Sequence, residues 1–322
     1  VFIHNMRTEF AETSPAIYEG AIAFASFILI AISCTIFATI SGLGPRLKMP
    51  IRRVWPSFER KLSYSKATFT RNSITLLLFF AIVLIPSLFV ALPALNAVFT
   101  ETLSDSLSGA GVWEEYWQSL TLSYFLGAVV TVLNIIIGLP MAIIVARKKF
   151  GAVPSTLLDL LVNIPLIVPS IALGVSLRFF WKDALVFVPE ILLLVFAHLT
   201  ITYPYLVRAM SAAVERISLD LEEASRTLGA RPLGVFRTII FPLTKYSLFS
   251  GAVMVFTRSV SETGATLAVT TLKTAPVVLV EWVKQKIEAT PLEIGLGCGF
   301  LVLFSFIILL ILRFIVKGEG KY

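Results

Sequence analysis

Two ionisable side chains, Arg258 and Glu262, stand four residues apart inside an apolar stretch. Charged groups at membrane depth are costly unless they pair or face a water-filled cavity, so they mark candidate functional positions. The i,i+4 spacing lets the two pair along one helix face. Thr263 and Thr266 add hydroxyls nearby, and Gly264 allows close helix approach or bending. Two readings stand: a pair that holds a helix bundle or its gate, or groups in the path of a polar solute. Asn134, Asn163, Ser170 and His198 could line the same cavity, although each alone also fits an interhelical hydrogen bond. Other chemistry is missing from the pattern. Cys34 and Cys298 lie in separate apolar runs, and His4 and His198 are far apart, so no metal or disulfide spacing arises. No G-x-x-x-x-G-K-[ST] loop occurs, so no catalytic residues, metal or cofactor are expected on this chain.

The elements that must carry these residues follow from composition. Apolar residues make up 57% of the chain and charged residues 15%, against about 25% charged in an ordinary soluble domain. Seven runs are long enough to cross ~30 Å of hydrocarbon: Ile17–Gly42, Ser73–Val98, Ser119–Ala146, Pro154–Phe180, Ala184–Val207, Tyr246–Val269 and Leu292–Val316. No charged leader and cleavage site precedes the first run, which is therefore expected to be a span and not a signal peptide. Orientation follows from the basic residues of short loops. Arg46, Lys48, Arg52, Arg53, Arg60, Lys61, Lys66 and Arg71 put the first loop inside. Glu101, Asp105, Glu114 and Glu115 place the second outside. Arg147–Lys149, the run of bases from Arg208 to Lys245, and Arg313 with Lys317 lie inside. The expected fold is thus all-α, a polytopic bundle of about seven spans, N-out and C-in. The net charge of +7 is a topology signal, and nucleic-acid binding is not expected. Proline and glycine inside the spans (Pro140, Pro165, Pro169, Gly138, Gly174) favour a transporter or channel over a simple anchor.

The first and last spans resemble each other: Glu12 aligns with Glu288, Pro15 with Pro291 and Phe24 with Phe300. Chance similarity of two membrane helices explains this. So does a first span that closes an earlier, similar unit, with this chain the later part of a tandem protein; that arrangement would also account for a start at Val1. The division expected is 1–45 as an outer segment and first span, 46–72 as a basic linker, and 73–322 as a six-span core.

The most informative segment is the inner loop RISLDLEEASRTLGARPLGVFRTIIFPL. Ser218 is placed to cap a short helix, with Glu222 nearby. Gly229 permits a sharp stop. Pro232 starts a second helix, predicted to run to Phe241 and to be broken by Pro242. The segment resembles the E-A-A-x3-G-x9-I-x-L-P loop of binding-protein-dependent ABC permeases, type I importers. Glu223, Ala224 and Ser225 stand at E-A-A, Gly229 at the glycine, Ile239 at the isoleucine, and Phe241–Pro242 at L-P. Ser225 for alanine and Phe241 for leucine are the departures. Ile164–Gly174 and Ile137–Gly151 resemble the spans before that loop, and Ser261–Val269 is similar to sulfate, molybdate or tungstate, ferric iron and thiamine permeases.

The resemblance implies an all-helical type I permease domain with its coupling loop at 215–242, in a prokaryotic inner membrane. It implies that Glu222, Glu223, Ala224, Ser225, Gly229, Ala230 and Pro242 serve ATPase coupling, with Glu223 and its neighbours in polar contact and Ala224 allowing close approach. Arg258, Glu262, Thr263 and Gly264 are the candidates for the translocation pathway or gate. Expected partners are a dimer of ATPase subunits carrying ATP and Mg, an extracellular or periplasmic binding protein, and the lipid bilayer. A second permease unit is also expected, as homodimer, heterodimer or tandem-fused half. LSGAG at Leu107–Gly111 superficially resembles an ABC ATPase signature, but it falls in the acidic outer loop. The expected substrate is a small ion such as an oxyanion or ferric iron; a sugar-type permease and an ion-coupled secondary transporter or channel are the alternatives.

Overall fold

A chain in hydrocarbon has no water to satisfy its backbone, so each segment must close its hydrogen bonds within itself, which a helix does. In the computed structural model, residues 65–89, 91–183, 188–284 and 289–317 are described, together with 24, 27, 28, 31, 32, 35 and 39. Among the described residues every regular element is helical. The order is α1 (Ser65–Leu78), α2 (Ile85–Phe89), α3 (Ala91–Val98), α4 (Thr102–Ser108), α5 (Val112–Ala146), α6 (Ala152–Ile167), α7 (Ser170–Arg178), α8 (Glu190–Glu215), α9 (Leu219–Thr227), α10 (Pro232–Val235), α11 (Phe241–Val260), α12 (Gly264–Val269), α13 (Ala275–Val283) and α14 (Pro291–Lys317). Wide π turns occupy Phe79–Leu84, Phe179–Asp183 and Phe236–Ile240. Most of the predicted first span, the linker Arg46–Arg71 up to residue 64, and Glu12, Pro15 and Glu288 of the internal resemblance lie outside the described residues.

Four helices among the described residues are long and apolar enough to cross a membrane: Val112–Ala146, Glu190–Glu215, Pro232–Val260 and Pro291–Leu312. Two predicted spans are corrected. Pro154–Phe180 is not one rod: Val153–Ile167 and Ser170–Lys182 meet at 107°. Val168 is extended (φ −79°, ψ 132°) and Pro169 follows with ψ 133°, because a residue before proline is pushed out of the helical region. The predicted Tyr246–Val269 span instead ends as α11 at Val260, and the chain restarts as α12 at Gly264. By contrast, Pro140, Pro165 and Pro204 are carried inside α5, α6 and α8.

The described residues fall into two compact units. One includes Glu115–Val280 and the end of α14 from Phe304; the other lies within Thr39–Glu114 and Glu281–Leu303. In the first, α8 packs against α6 and α11, and α7 against α12. Its core gathers Leu126, Val130, Leu194, Leu206, Val207, Met210 and Val255. The opposite helix faces leave Phe125, Val132, Ile136, Leu243 and Phe249 exposed, an apolar surface suited to lipid. Tyr124 Oη and Ser305 Oγ share a 3.0 Å hydrogen bond between α5 and the end of α14. In the second unit Trp113 meets Trp282 edge to face at 5.5 Å. There α14 begins with a capping box: the Thr290 N–H donates to Glu293 Oε2 at 2.6 Å, and the Glu293 N–H to Thr290 Oγ1 at 3.3 Å.

Candidate functional site

The loop after α8 is built from local signals. Ser218 Oγ accepts the Asp220 N–H at 3.2 Å and starts α9. Asp220 and Glu222 in the first turn and Arg226 in the last match the helix dipole. The helix stops where Gly229 takes φ +89°, a left-handed value that costs glycine little. The Gly229 N–H donates to Arg226 O at 2.9 Å and the Ala230 N–H to Ser225 O at 3.0 Å, which satisfies carbonyls left over at the helix end. Pro232 then opens α10, where its missing N–H is harmless. One expectation is corrected here. Pro242 does not break the second helix: Pro232–Val260 runs as one 29-residue helix. The turn before it is π-helical, with the Phe241 N–H bonded to Phe236 O, and Pro242 falls in the first turn of α11. The widened register absorbs the residue that has no N–H to give.

The two adjacent glutamates of this loop face opposite ways. Glu223 and Ala224 are exposed, and Leu219, Leu221, Leu228 and Leu233 present large apolar surface beside them. Glu222 is 5% exposed and turns inward. Arg147 Nη2 lies 2.6 Å from Glu222 Oε1, and Arg147 Nε donates to the same oxygen at 2.9 Å. Glu222, which the resemblance groups with the coupling residues, is thus held against Arg147, while Glu223 is exposed. Ser225 is half-buried, as is Ala230.

The second group lies at the α11–α12 break. Glu262 is 2% exposed. Its Oε1 accepts the Ala265 N–H at 3.0 Å, so a side chain caps the restarted helix. Its Oε2 lies 2.5 Å from Arg258 Nη2, a charge contact more than an aligned hydrogen bond. The predicted pair thus forms, but Glu262 sits past the end of α11 and not within a continuous span. His198, buried on α8, reaches both sides of the break: Nδ1 is 2.9 Å from Ser259 Oγ and Nε2 is 2.9 Å from Thr266 Oγ1. Thr202 Oγ1 donates to His198 O at 2.6 Å and accepts from Asn134 Nδ2 at 2.9 Å, bringing α5 into the same network. Asn134 and His198 therefore join one cluster, as interhelical bonds. Asn163 does not: it accepts from Arg208 Nη1 at 2.9 Å and faces Asp159. Ser170 and Gly264 meet closely, since a Cβ on Gly264 would fall 2.5 Å from Ser170 Oγ. Thr263 is half-buried at the break, with φ −122°.

Sequence reasoning missed several contributors. Arg147 was legible only as a topology marker, although a base closing a long apolar run and an acid opening the next inner helix hint at a pair. Thr202 and Ser259 carried no signal of their own, and Gly174 was legible only as one of the glycines inside the spans. A Cβ on Gly174 would meet Ala265 Cα at 2.9 Å, so α7 and α12 touch backbone to backbone. At the other end of α8, Glu190 accepts from Thr270 Oγ1 at 2.8 Å and Thr271 Oγ1 at 2.7 Å. Among the described residues no group of histidine, cysteine and acidic side chains could hold a metal ion.

The loop and the span-length helices around it fall within residues 138–318, which match the family model described as "binding-protein-dependent transport system inner membrane component". The chain belongs to that family. It is an inner membrane permease component of a binding-protein-dependent transport system. The molybdate/tungstate transport system permease protein of Pyrococcus furiosus is 29% identical over 205 residues, covering 63% of this chain and 79% of the relative. The molybdenum transport system permease protein of Escherichia coli K12 is 31% identical over 173 residues, 47% and 70% of the two chains. The sulfate transport system permease protein of Salmonella typhimurium is 29% identical over 175 residues, 48% and 62%. A chain of the inward-facing MetNI methionine ABC transporter superposes with a TM-score of 0.54 at 19% identity, over 63% of this chain and 95% of that one. The fold of the membrane domain is shared with it.

Proposed function

We propose that this permease moves a tetrahedral oxyanion of the molybdate, tungstate or sulfate class across a prokaryotic cell membrane, driven through the loop 215–242 by a separate pair of ATPase subunits. The observation that carries the coupling reading is the two-faced α9, with Glu222 anchored inward and Glu223, Ala224, Leu221 and Leu228 offered outward. Exposed leucines around a charged residue suit a partner groove that buries the apolar surface and pairs the charge. ATP and Mg would be held by the partner. An external binding protein would deliver the substrate to a pathway made with a second permease unit. The topology that suits this is seven spans, N-out and C-in, with 1–45 and 46–72 preceding a permease domain at 73–322. The substrate class rests on what the relatives are named for, together with the Ser261–Val269 sequence. Arg258, Glu262, Thr263 and Gly264 fit a gate better than a binding site, because the Glu262 carboxylate is spent on Arg258 and the Ala265 N–H.

The test is the Glu223→Arg, Gly229→Asp variant, expressed with its ATPase and binding protein. The chain is expected to insert normally and to lose capture of the ATPase. Uptake of molybdate, tungstate and sulfate, with ferric iron as the control, tests the substrate class in reconstituted vesicles. An intact complex with substrate-stimulated hydrolysis in the double variant would refute the coupling reading.

A further inference from the structure

We propose that Arg147 is a positioning residue that pins the coupling helix to the base of α5, so that a push on the loop moves α5 as well as the helices joined to the loop by the chain. The proposal rests on the coupling reading above and goes one step further, to the route by which the force leaves the loop. Three observations carry it. First, Glu222 is the only buried residue of α9. Leu219 and Leu221 are exposed, and Leu228 just beyond the helix is 89% exposed. The helix is therefore not seated by an apolar core; its side-chain anchorage is one carboxylate. Second, the group that meets this carboxylate is placed with care. Arg147 Nε and Nη2 both reach Glu222 Oε1, and Nη2 also donates to Ile217 O at 3.1 Å. One guanidinium thus ties Ile217, two residues past the end of α8, to the first turn of α9. Both side chains are under a tenth exposed, at 9% and 7%, where an ion pair is specific in geometry and removal of one partner strands a charge. Arg226, 3.9 Å from Glu222 Oε2 and itself 59% exposed, lies on α9 and cannot anchor it to another element.

Third, Arg147 belongs mechanically to α5. Its N–H still donates to Ile143 O at 3.0 Å, one turn back along the helix. The helix it closes is 35 residues long, or about 50 Å at 1.5 Å per residue. Along it, Asn134 holds Thr202, and Ser123 Oγ accepts the Ala275 N–H at 2.8 Å. A displacement of the Arg147 end is thereby passed to α8 at mid-length and to the start of α13. Without the pin, α9 would be joined to the bundle chiefly through the chain at Arg216–Ser218 and Ala230–Arg231. α5 would then be left out of the stroke.

The experiment uses the full complex, with ATPase and binding protein, and compares Arg147→Glu, Glu222→Arg and the two together. The readouts are capture of the ATPase and substrate-stimulated hydrolysis. Each single variant is expected to lower the stimulated rate by about 5–150-fold, the usual range of a coupling between sites. The charge swap is expected to recover whichever readout the singles lost. Recovery will be incomplete, because a carboxylate at 147 cannot donate to Ile217 O. Should Arg147→Glu fail to insert, Arg147→Gln removes the charge without inverting it and is expected to show the same loss. Stimulated hydrolysis within about twofold of the parent in a single variant, below the range expected of a coupling, overturns the proposal. So does a swap no better than the singles. Failure of the unmutated chain to capture an ATPase would instead remove the coupling reading itself.

Discussion

The ion pair at the α11–α12 break makes an asymmetric prediction that its geometry allows to be worked through. Both carboxylate oxygens of Glu262 are engaged: Oε1 accepts the Ala265 N–H, and Oε2 is in charge contact with Arg258. Glutamine at 262 can keep one of these contacts, and its amide nitrogen then faces the guanidinium. The stranded charge is that of Arg258, whose side chain is 32% exposed and partly hydrated. Breaking a buried pair typically costs about 3–5 kcal/mol, and this hydration lowers the expected loss for Glu262→Gln to about 2 kcal/mol. Arg258→Gln strands the other partner, a carboxylate 2% exposed, so about 3–5 kcal/mol is expected there. The double variant leaves no unpaired charge. It should be more stable than Arg258→Gln alone, which requires a coupling energy above the Glu262→Gln loss, about 2–3 kcal/mol. Reversible unfolding of the purified chain in mixed micelles measures all four corners of the cycle. A Glu262→Gln loss equal to or above that of Arg258→Gln would refute the reasoning, as would simple additivity in the double variant. Uptake measured on the same variants then separates a gate from a mere brace: a gate changes transport even where the double variant is stable.

Two further perturbations probe the same region. Gly174→Ala places a Cβ 2.9 Å from Ala265 Cα and 3.0 Å from Ala265 O; overpacking of backbone against backbone should cost about 1–3 kcal/mol in the same unfolding assay, and an unchanged midpoint would mean that α7 and α12 are not seated on each other. His198→Phe removes the ring nitrogens that meet Ser259 and Thr266 on either side of the break; a loss of about 1–3 kcal/mol is expected, and one below about 0.5 kcal/mol, the range of an ordinary surface change, would show that the ring does not hold the two helices together.

Much of the loop 215–242 was legible because its signals are local. Ser218 as a cap, Gly229 at the stop and Pro232 at the restart each act within one turn of chain, and each stands where the spacing placed it. Pro242 misled because a break was read from proline alone, whereas the π turn before it widens the register. The two-part spans were read as single rods for a related reason. Apolar composition reports that a segment prefers lipid or a core, and it says little about the direction of its axis across Pro169 or Glu262.

The sequence by itself determined that the chain is helical, apolar along span-length runs, and fitted with a loop of the permease family, because hydropathy, caps and motif spacing are properties of neighbouring residues. Tertiary structure alone decided which of two adjacent glutamates turns inward, since that depends on Arg147, 75 residues away from Glu222. It alone decided that His198 bridges residues 61 and 68 positions further on. A buried polar group takes whichever partner the fold brings within about 3 Å, and that proximity is set by how helices pack, which no single stretch of sequence contains.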